Sequence, residues 1–447
     1  MGRLLHLVCF LQSLLGVTVT SLRRLILARC ASLVHLPVAW LAPRPGDVTI
    51  SPRWLQHVLR DQGILQDNVG VSGATMEPVD ENRGLGAVMI RVRLSYSTSS
   101  RSSSSSNQEG PATLILKRSN GALRERRSLI LGGGHREAKF YGDTIARRLP
   151  AGLLPRVFFA WSSPLLGEFV VLMEDLLARD VTGVNMVFGN QVWGVPRPVK
   201  PPRDSIRVLE AMFLKSAEMH AAFWRDPSLL KRSWLKGAPW YGGRERAAWE
   251  QGIETARRGW ASKGADIDIS PKLAGILDRA FETASWEALQ TRLRDPAVPW
   301  TLCHGDFHAS NLFLLNSAAA GEEEGGLVLF DWTEVGPWEP TTDLAQTVIS
   351  DVKAELFVTH TRPLVRKYWE RLLVLGVTAE SYPFEMCWES FCHGGVERWM
   401  WIFSVLCGMP HIPAQATQYF HDQLLAFIES HGDHPHYQLK PLICLAM

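Results

Sequence analysis

The sequence predicts an α+β protein with a β-rich N-terminal lobe and a mainly helical C-terminal lobe. Three observations predict it. Val88, Ile90, Val92 and Leu94 alternate with Met89, Arg91, Arg93 and Ser95, which is strand periodicity, and similar short runs lie on either side. After Leu177 the runs lengthen and become helical, beginning with Asp204–Trp224. Within that helical half a compact patch of short strands occupies Leu302–Asp331.

Composition bounds the function classes. The 447 residues suffice for two or three domains, and 46% apolar with 21% charged residues is ordinary globular composition. A formal net charge of +2 supplies no field for nucleic acid, and no local basic cluster stands out, so no nucleic-acid role is expected. The seven cysteines form no C-x-x-C pair and are odd in number, so the chain is read as carrying reduced, mostly buried thiols, without a disulfide framework or zinc site.

Residues 1–46 form a hydrophobic, Arg-containing leader or anchor. Leu4 to Leu22 contains 19 residues without formal charge, between Arg3 and the Arg23-Arg24 pair, and no acidic residue precedes Asp47. A helix of that length reaches about 28 Å, close to a hydrocarbon core. Three readings stay open: a membrane span, an organelle-import leader, and an amphipathic helix on the protein body or a membrane surface. Membrane association through residues 4–41, and location beyond a cytoplasmic catalytic domain, depend on which holds; oligomeric state is not read from the sequence.

The N-lobe is expected over 47–177. Ser51-Pro52 starts a helix over Arg53–Gln62; strands follow at Val69–Val79, Ala87–Tyr96 and Ala112–Lys117. Residues 97–110 are a Ser-rich low-complexity segment, expected to be a disordered loop between strands. A helix is expected from His135 to about Arg148, then strands near Arg156–Trp161 and Glu168–Met173. The C-lobe is expected over 178–430, with helices at Asp204–Trp224, Glu245–Gly259, Pro271–Leu293, Arg362–Leu375 and Pro383–Phe403, and a tail over 431–447.

The chemistry concentrates in His304-Gly305-Asp306-Phe307-His308-Ala309-Ser310-Asn311 and, two strands later, Phe330-Asp331-Trp332. Phosphoryl transfer needs a carboxylate to orient the attacking hydroxyl and take its proton, and oxygen ligands to hold magnesium on the phosphates. D-x-x-x-x-N offers Asp306 as the base and Asn311 as a metal ligand, while Asp331 offers the second metal carboxylate. Ser317–Gly326 then reads as a hairpin tip with solvated glutamates.

These motifs resemble those of the aminoglycoside phosphotransferase and choline kinase superfamily, and within it the ecdysteroid-kinase-like (CHK kinase-like) group, over about residues 70–410. The resemblance implies a protein-kinase-like two-lobed fold and an ATP- and Mg2+-dependent small-molecule kinase acting on an alcohol hydroxyl. It gives Lys117 in Leu114-Ile115-Leu116-Lys117 the nucleotide-lysine role, and Glu137 in Glu137-Ala138-Lys139-Phe140-Tyr141 the role of holding that lysine. Val170–Leu176 resembles the strand and hinge whose backbone reads adenine, with Glu174 and Leu176 as its contacts. Asp343 in Asp343-Leu344-Ala345 is similar to the aspartate that braces the catalytic loop; His304 is read as a second brace. Gly84-Leu85-Gly86 departs from a full G-x-G-x-x-G, and Gly84 and Gly86 are assigned to the phosphates on the strength of glycine's close approach.

Only eleven residues separate Asp331 from Asp343 and no A-P-E follows, leaving no peptide-docking segment, so the expected partners are a nucleotide and a small-molecule alcohol that is steroid-like, choline-like or sugar-like. Trp332, Trp338, Trp399 and Trp401 offer a cage for a quaternary amine, against which packing in the core is the better reading. The alternative function is a catalytically weak pseudokinase that binds nucleotide or acts as a membrane-tethered scaffold.

Overall fold

The computed structural model describes residues 50–79, 87–98, 110–119, 129, 133–164, 167–188, 204–316, 326–410, 412–435 and 437–440. The leader 1–46, Gly84, Gly86, most of the Ser-rich segment and most of the 317–326 tip therefore lie outside the described residues. The chain divides into two units: the first holds residues up to Gly142 together with Arg156–Asp175, and the second holds Asp143–Pro155 and the chain from Leu176 onward.

The first unit is built on an antiparallel sheet. Ser51 caps α1 (Pro52–Asp61) by accepting the Trp54 N–H, and the helix buries Trp54, Leu55, Val58 and Leu59. Strands β1 (Val69–Pro78), β2 (Ala87–Thr98), β3 (Thr113–Ser119), β4 (Val157–Ser163) and β5 (Glu168–Glu174) order as β1-β2-β3-β5-β4. The strand β2 runs through Ser97 and Thr98, two residues assigned from sequence to the loop. Val92, Leu114, Leu116, Val170 and Leu172 face α1 in one apolar cluster, while Ile115, Val171 and Met173 face Ala138 on the other side. Both sheet faces are thus buried, which explains why β3 and β5 read as nearly continuous apolar runs. The helix expected over 135–148 is shorter: α2 spans Arg136–Gly142, and only a 3-10 turn, Ala146–Arg148, follows.

Asp143–Pro155, placed in the N-lobe by the sequence reading, belongs instead to the second unit. Asp143 pairs with Arg232 at 3.1 Å, Arg148 pairs with Asp226 at 2.6 Å, and the Leu153 carbonyl accepts the Leu329 N–H at 2.8 Å.

The second unit is mainly helical. After β6 (Val181–Gly183) come α3 (Val184–Phe188), α4 (Ser205–Ala221), α5 (Pro227–Leu230), α6 (Ala238–Tyr241) and α7 (Arg246–Ala261). The single helix expected over 271–293 is two, α8 (Pro271–Thr283) and α9 (Trp286–Arg294), because extended Ala284 ends one and Ser285 caps the next through the Ala288 N–H. Four short strands carry the central patch: β7 (Thr301–Cys303), β8 (Leu312–Leu315), β9 (Leu327–Leu329) and β10 (Gly336–Trp338). β8 pairs antiparallel with both β6 and β9, and β7 pairs with β10. Then follow α10 (Thr341–Asp351), α11 (Phe357–Val374), α12 (Phe384–Cys407) and α13 (Ala414–His431). α10 is buried along its whole length and packs against α12. Among the described residues no helix is long and apolar enough to cross a membrane.

Candidate active site

In the first unit, Lys117 stands on the central strand β3, and Glu137 stands in the first turn of α2. Their side chains meet at 2.6 Å, Nζ to Oε2, with Lys117 8% exposed and Glu137 1% exposed. Such a pair is stable in the interior only when both charges are present, since either alone would be left desolvated. Tyr141, one turn further along α2, reaches Glu137 Oε1 at 3.5 Å. At the end of β5, the Glu174 N–H donates to the Arg156 carbonyl at 2.9 Å and the Glu174 side chain accepts the Arg156 N–H at 2.8 Å. Arg91 on β2 pairs with Asp175 at 2.7 Å, a brace on this strand end that the sequence reading did not find. Leu176 opens a 3-10 turn in the second unit, where its carbonyl accepts the Arg179 N–H at 3.0 Å.

The second unit gathers the remaining candidates around one loop. Asp306, Asn311 and Asp331 are tied together by two short links. Asn311 Nδ2 donates to the Asp306 carbonyl at 2.9 Å and lies 3.4 Å from its Oδ2, while the Asn311 carbonyl accepts the N–H of Phe330, next to Asp331. The His304 ring supplies the second link: Nδ1 accepts the Asp306 N–H at 3.3 Å, so Nε2 carries the proton and donates to the Phe330 carbonyl at 2.9 Å. Burial pushes the His304 imidazole below its usual range despite the pull of Asp343 and Asp306, in keeping with that neutral tautomer.

The loop conformation has a local cause. Gly305 has φ +82°, and a Cβ there would collide with the Glu334 carbonyl, so the middle position of His-Gly-Asp admits no side chain. Asp331 is itself left-handed at φ +63°, one of three such non-glycine residues among those described, and Thr333 Oγ1 donates to its carboxylate. Backbone strain of this kind, of order 1–3 kcal/mol, persists where surrounding contacts over-determine it.

The buried helix α10 braces the loop from below. Asp343 accepts the His304 N–H at 2.7 Å and the Gly305 N–H at 3.0 Å. One turn on, Gln346 Nε2 donates to Asp306 Oδ1 at 2.9 Å and Thr347 Oγ1 donates to the Phe307 carbonyl at 2.6 Å. Asp351 accepts the Ala309 N–H at 2.8 Å. His220, on α4, is fully buried; Nδ1 bonds the Tyr368 hydroxyl at 2.8 Å and Nε2 lies 3.8 Å from Asp343. Gln346, Thr347 and Asp351 escaped the sequence reading. Their signal was there: with Asp343 they stand three, four and eight positions apart, a polar stripe beside the apolar Leu344, Ala345, Val348 and Ile349.

Electrostatics converge on Asp306. Burial pushes its carboxyl up, but His308 at 3.5 Å, Arg398 and His304 together outweigh that and hold it well below the usual carboxylate range. Burial pushes His308 the other way, and Asp306, then Asp351 and Asp331, raise it above its ordinary value. Asp306 is thus an anion with a third of its side chain exposed. Its carboxylate is aimed by Gln346 and can accept a proton.

Asn311 and Asp331 fit a hard divalent cation. The donor end of the Asn311 amide is committed to Asp306, which leaves its oxygen as the ligating end, and an amide oxygen with a carboxylate is a magnesium-type donor set. The four tryptophans of the hypothetical cage each pack on a different neighbour. Trp332 lies against His304 at 4.5 Å, Trp338 against Trp240 at 5.7 Å and Trp399 against Phe420 at 4.7 Å, while Trp401 donates to the Gly252 carbonyl.

No curated protein matches the sequence. Among solved structures, the choline kinase of Cryptosporidium parvum Iowa II is 9% identical with a TM-score of 0.47, over 85% of this chain and 95% of that one. The amicoumacin kinase hAmiN, in complex with AMP-PNP, Ca2+ and Ami, is 12% identical with a TM-score of 0.43, over 85% and 95%. The choline kinase LicA of Streptococcus pneumoniae is 10% identical with a TM-score of 0.40, over 84% and 98%. The model of the phosphotransferase enzyme family matches residues 113–373, more than half of the chain, and spans Lys117, Glu137, Asp306, Asn311, Asp331 and Asp343. The chain therefore belongs to the phosphotransferase enzyme family, as an enzyme that phosphorylates a hydroxyl group.

Proposed function

We propose that the protein is an ATP- and Mg2+-dependent small-molecule kinase of the ecdysteroid-kinase-like group, transferring the γ-phosphoryl group to an alcohol of a small metabolite. The observation that carries this reading is the knot joining Asp306, Asn311 and the Phe330–Asp331 peptide through Asn311 Nδ2, the Asn311 carbonyl and the His304 ring.

Asp306 orients the acceptor hydroxyl and takes its proton onto the carboxylate that Gln346 holds in place. Lys117 binds the α- and β-phosphates, and Glu137 keeps the ammonium extended for that contact. Backbone groups of Glu174 and Leu176 read the adenine, and Gly84 and Gly86, outside the described residues, cover the phosphates. Asn311 and Asp331 hold the divalent cation, which when bound neutralises the charge on the phosphate oxygens. His304 and Asp343 support the loop.

The test is a metabolite-extract screen with γ-labelled ATP and magnesium, beside an Asp306→Asn control. A labelled alcohol phosphate formed by the wild type and lost in the control is expected. Equal labelling in both would remove Asp306 from the chemistry.

A further inference from the structure

Beside Asp306 lies a charge that the chemistry above does not use. Arg398, on α12, is 3% exposed, and one terminal nitrogen sits 3.7 Å from Asp306 Oδ1. Its Nε and that terminal nitrogen make no hydrogen bond among the described residues. Guanidinium stays protonated in proteins, so this is a fixed positive charge in a dry setting, where solvent screens it little.

Apart from Asp306, the acids nearby are spent on other partners. Glu397, the preceding residue on α12, is held by Arg292 at 2.6 Å and Lys440 at 3.1 Å; Glu339 takes the same two cations at 2.8 Å and 3.4 Å. That cluster balances two acids against two cations. Asp343, which also faces Arg398, spends its carboxylate on the His304 and Gly305 N–H groups. Asp306 is left as the counter-charge closest to the guanidinium, and His308 draws on that same carboxylate at 3.5 Å.

An acceptor hydroxyl must come within hydrogen-bond reach of Asp306, which places it no more than about 9 Å from the Arg398 guanidinium. A cationic centre close to that hydroxyl would meet the buried Arg398 charge with Asp306 as the nearest offsetting anion, and Arg398 and His308 already draw on that carboxylate; proteins that hold quaternary amines offer aromatic faces or further acids. Trp332 is packed on His304, Trp338 on Trp240 and Trp399 on Phe420, Trp401 donates to the Gly252 carbonyl, and the acids Glu339 and Glu397 already hold cations.

We propose that Arg398 sets the charge class of the acceptor: the site takes uncharged or anionic alcohols and rejects those carrying a positive charge next to the hydroxyl that is phosphorylated. The inference rests on the kinase reading and narrows its three acceptor classes by removing the choline-like one. Arg398 acts here as a specificity-determining residue through its field, without touching the reactants.

The experiment uses the full chain with MgATP and a polar-plus-apolar metabolite extract spiked with choline and ethanolamine, products being sorted by the charge of the parent alcohol. At least about a tenfold excess of products from uncharged and anionic alcohols is expected. Dominant phosphocholine or phosphoethanolamine would overturn the inference while leaving the kinase reading intact; no product of any class would overturn both. In Arg398→Gln, shown folded by its melting transition, cationic alcohols should enter the product pool, whereas Arg398→Lys should keep them out. An unchanged pool in folded Arg398→Gln would overturn the role given to Arg398, and the wild-type screen stands even if that variant does not fold.

Discussion

The Asp343 carboxylate accepts two consecutive backbone N–H groups, His304 at 2.7 Å and Gly305 at 3.0 Å, so one side chain at the start of a buried helix fixes the turn that aims Asp306. Both donors are buried, and each would lose its partner in Asp343→Ala. At about 1–3 kcal/mol for each unsatisfied group, that variant should lose about 2–6 kcal/mol by chemical denaturation. Asp343→Asn, which keeps one acceptor oxygen, should lose less. Equal stability of Asp343→Ala and wild type would show that the turn holds itself.

Lys117 and Glu137 form a buried pair at 2.6 Å, and removing one partner strands the other charge. Glu137→Ala should therefore cost about 3–5 kcal/mol, and the double replacement by methionine should cost less than either single change. A double-mutant cycle reads the difference. Additive effects would mean that the two side chains do not act as a pair.

Gly305→Ala should destabilise the protein although it adds a single methyl group. The residue is left-handed, and the new Cβ would meet the Glu334 carbonyl. The left-handed conformation alone costs about 1–2 kcal/mol, and the collision must move either the loop or the Trp332–Glu334 turn. A drop in melting temperature together with lost turnover is expected, whereas Gly142→Ala, at a position with open space, should change neither.

Acid should weaken the fold through His393. Burial, then the nearby His434, lowers this imidazole from 6.5 to about 4 in the folded chain. Between those values the unfolded chain binds the extra proton, so stability rises with pH. Its contribution is full above about 6.5 and is lost as pH falls toward about 4. Denaturation midpoints measured from pH 7 to pH 4.5 should fall less steeply in His393→Gln than in wild type; parallel curves would contradict the assignment.

Much of the fold was legible because strand and helix periods rest on local burial. The alternation over 88–95 became β2, and the Ser51-Pro52 start became a capped α1. The reading failed where long-range packing decided. Asp143–Pro155 carries no signal that it belongs with Arg232 and Asp226, which lie far along the chain. The break at Ala284–Ser285 is a cap hidden inside a helical pattern. At the candidate site, Asp306 and Asn311 could be paired from the sequence because their spacing is set within one loop. Arg398 could not, since its place beside Asp306 is created only when α12 packs on α10.

The most direct test of the central claim is the shift in melting temperature on adding MgATP, measured for wild type, Asp306→Asn and Asp331→Ala. Binding at a hundred times the dissociation constant stabilises by about 2.7 kcal/mol. The account predicts a shift in wild type, its retention in Asp306→Asn, where only the proton acceptor is lost, and its loss in Asp331→Ala, where a metal ligand is lost. No shift at millimolar nucleotide, or an undiminished one in Asp331→Ala, would contradict it.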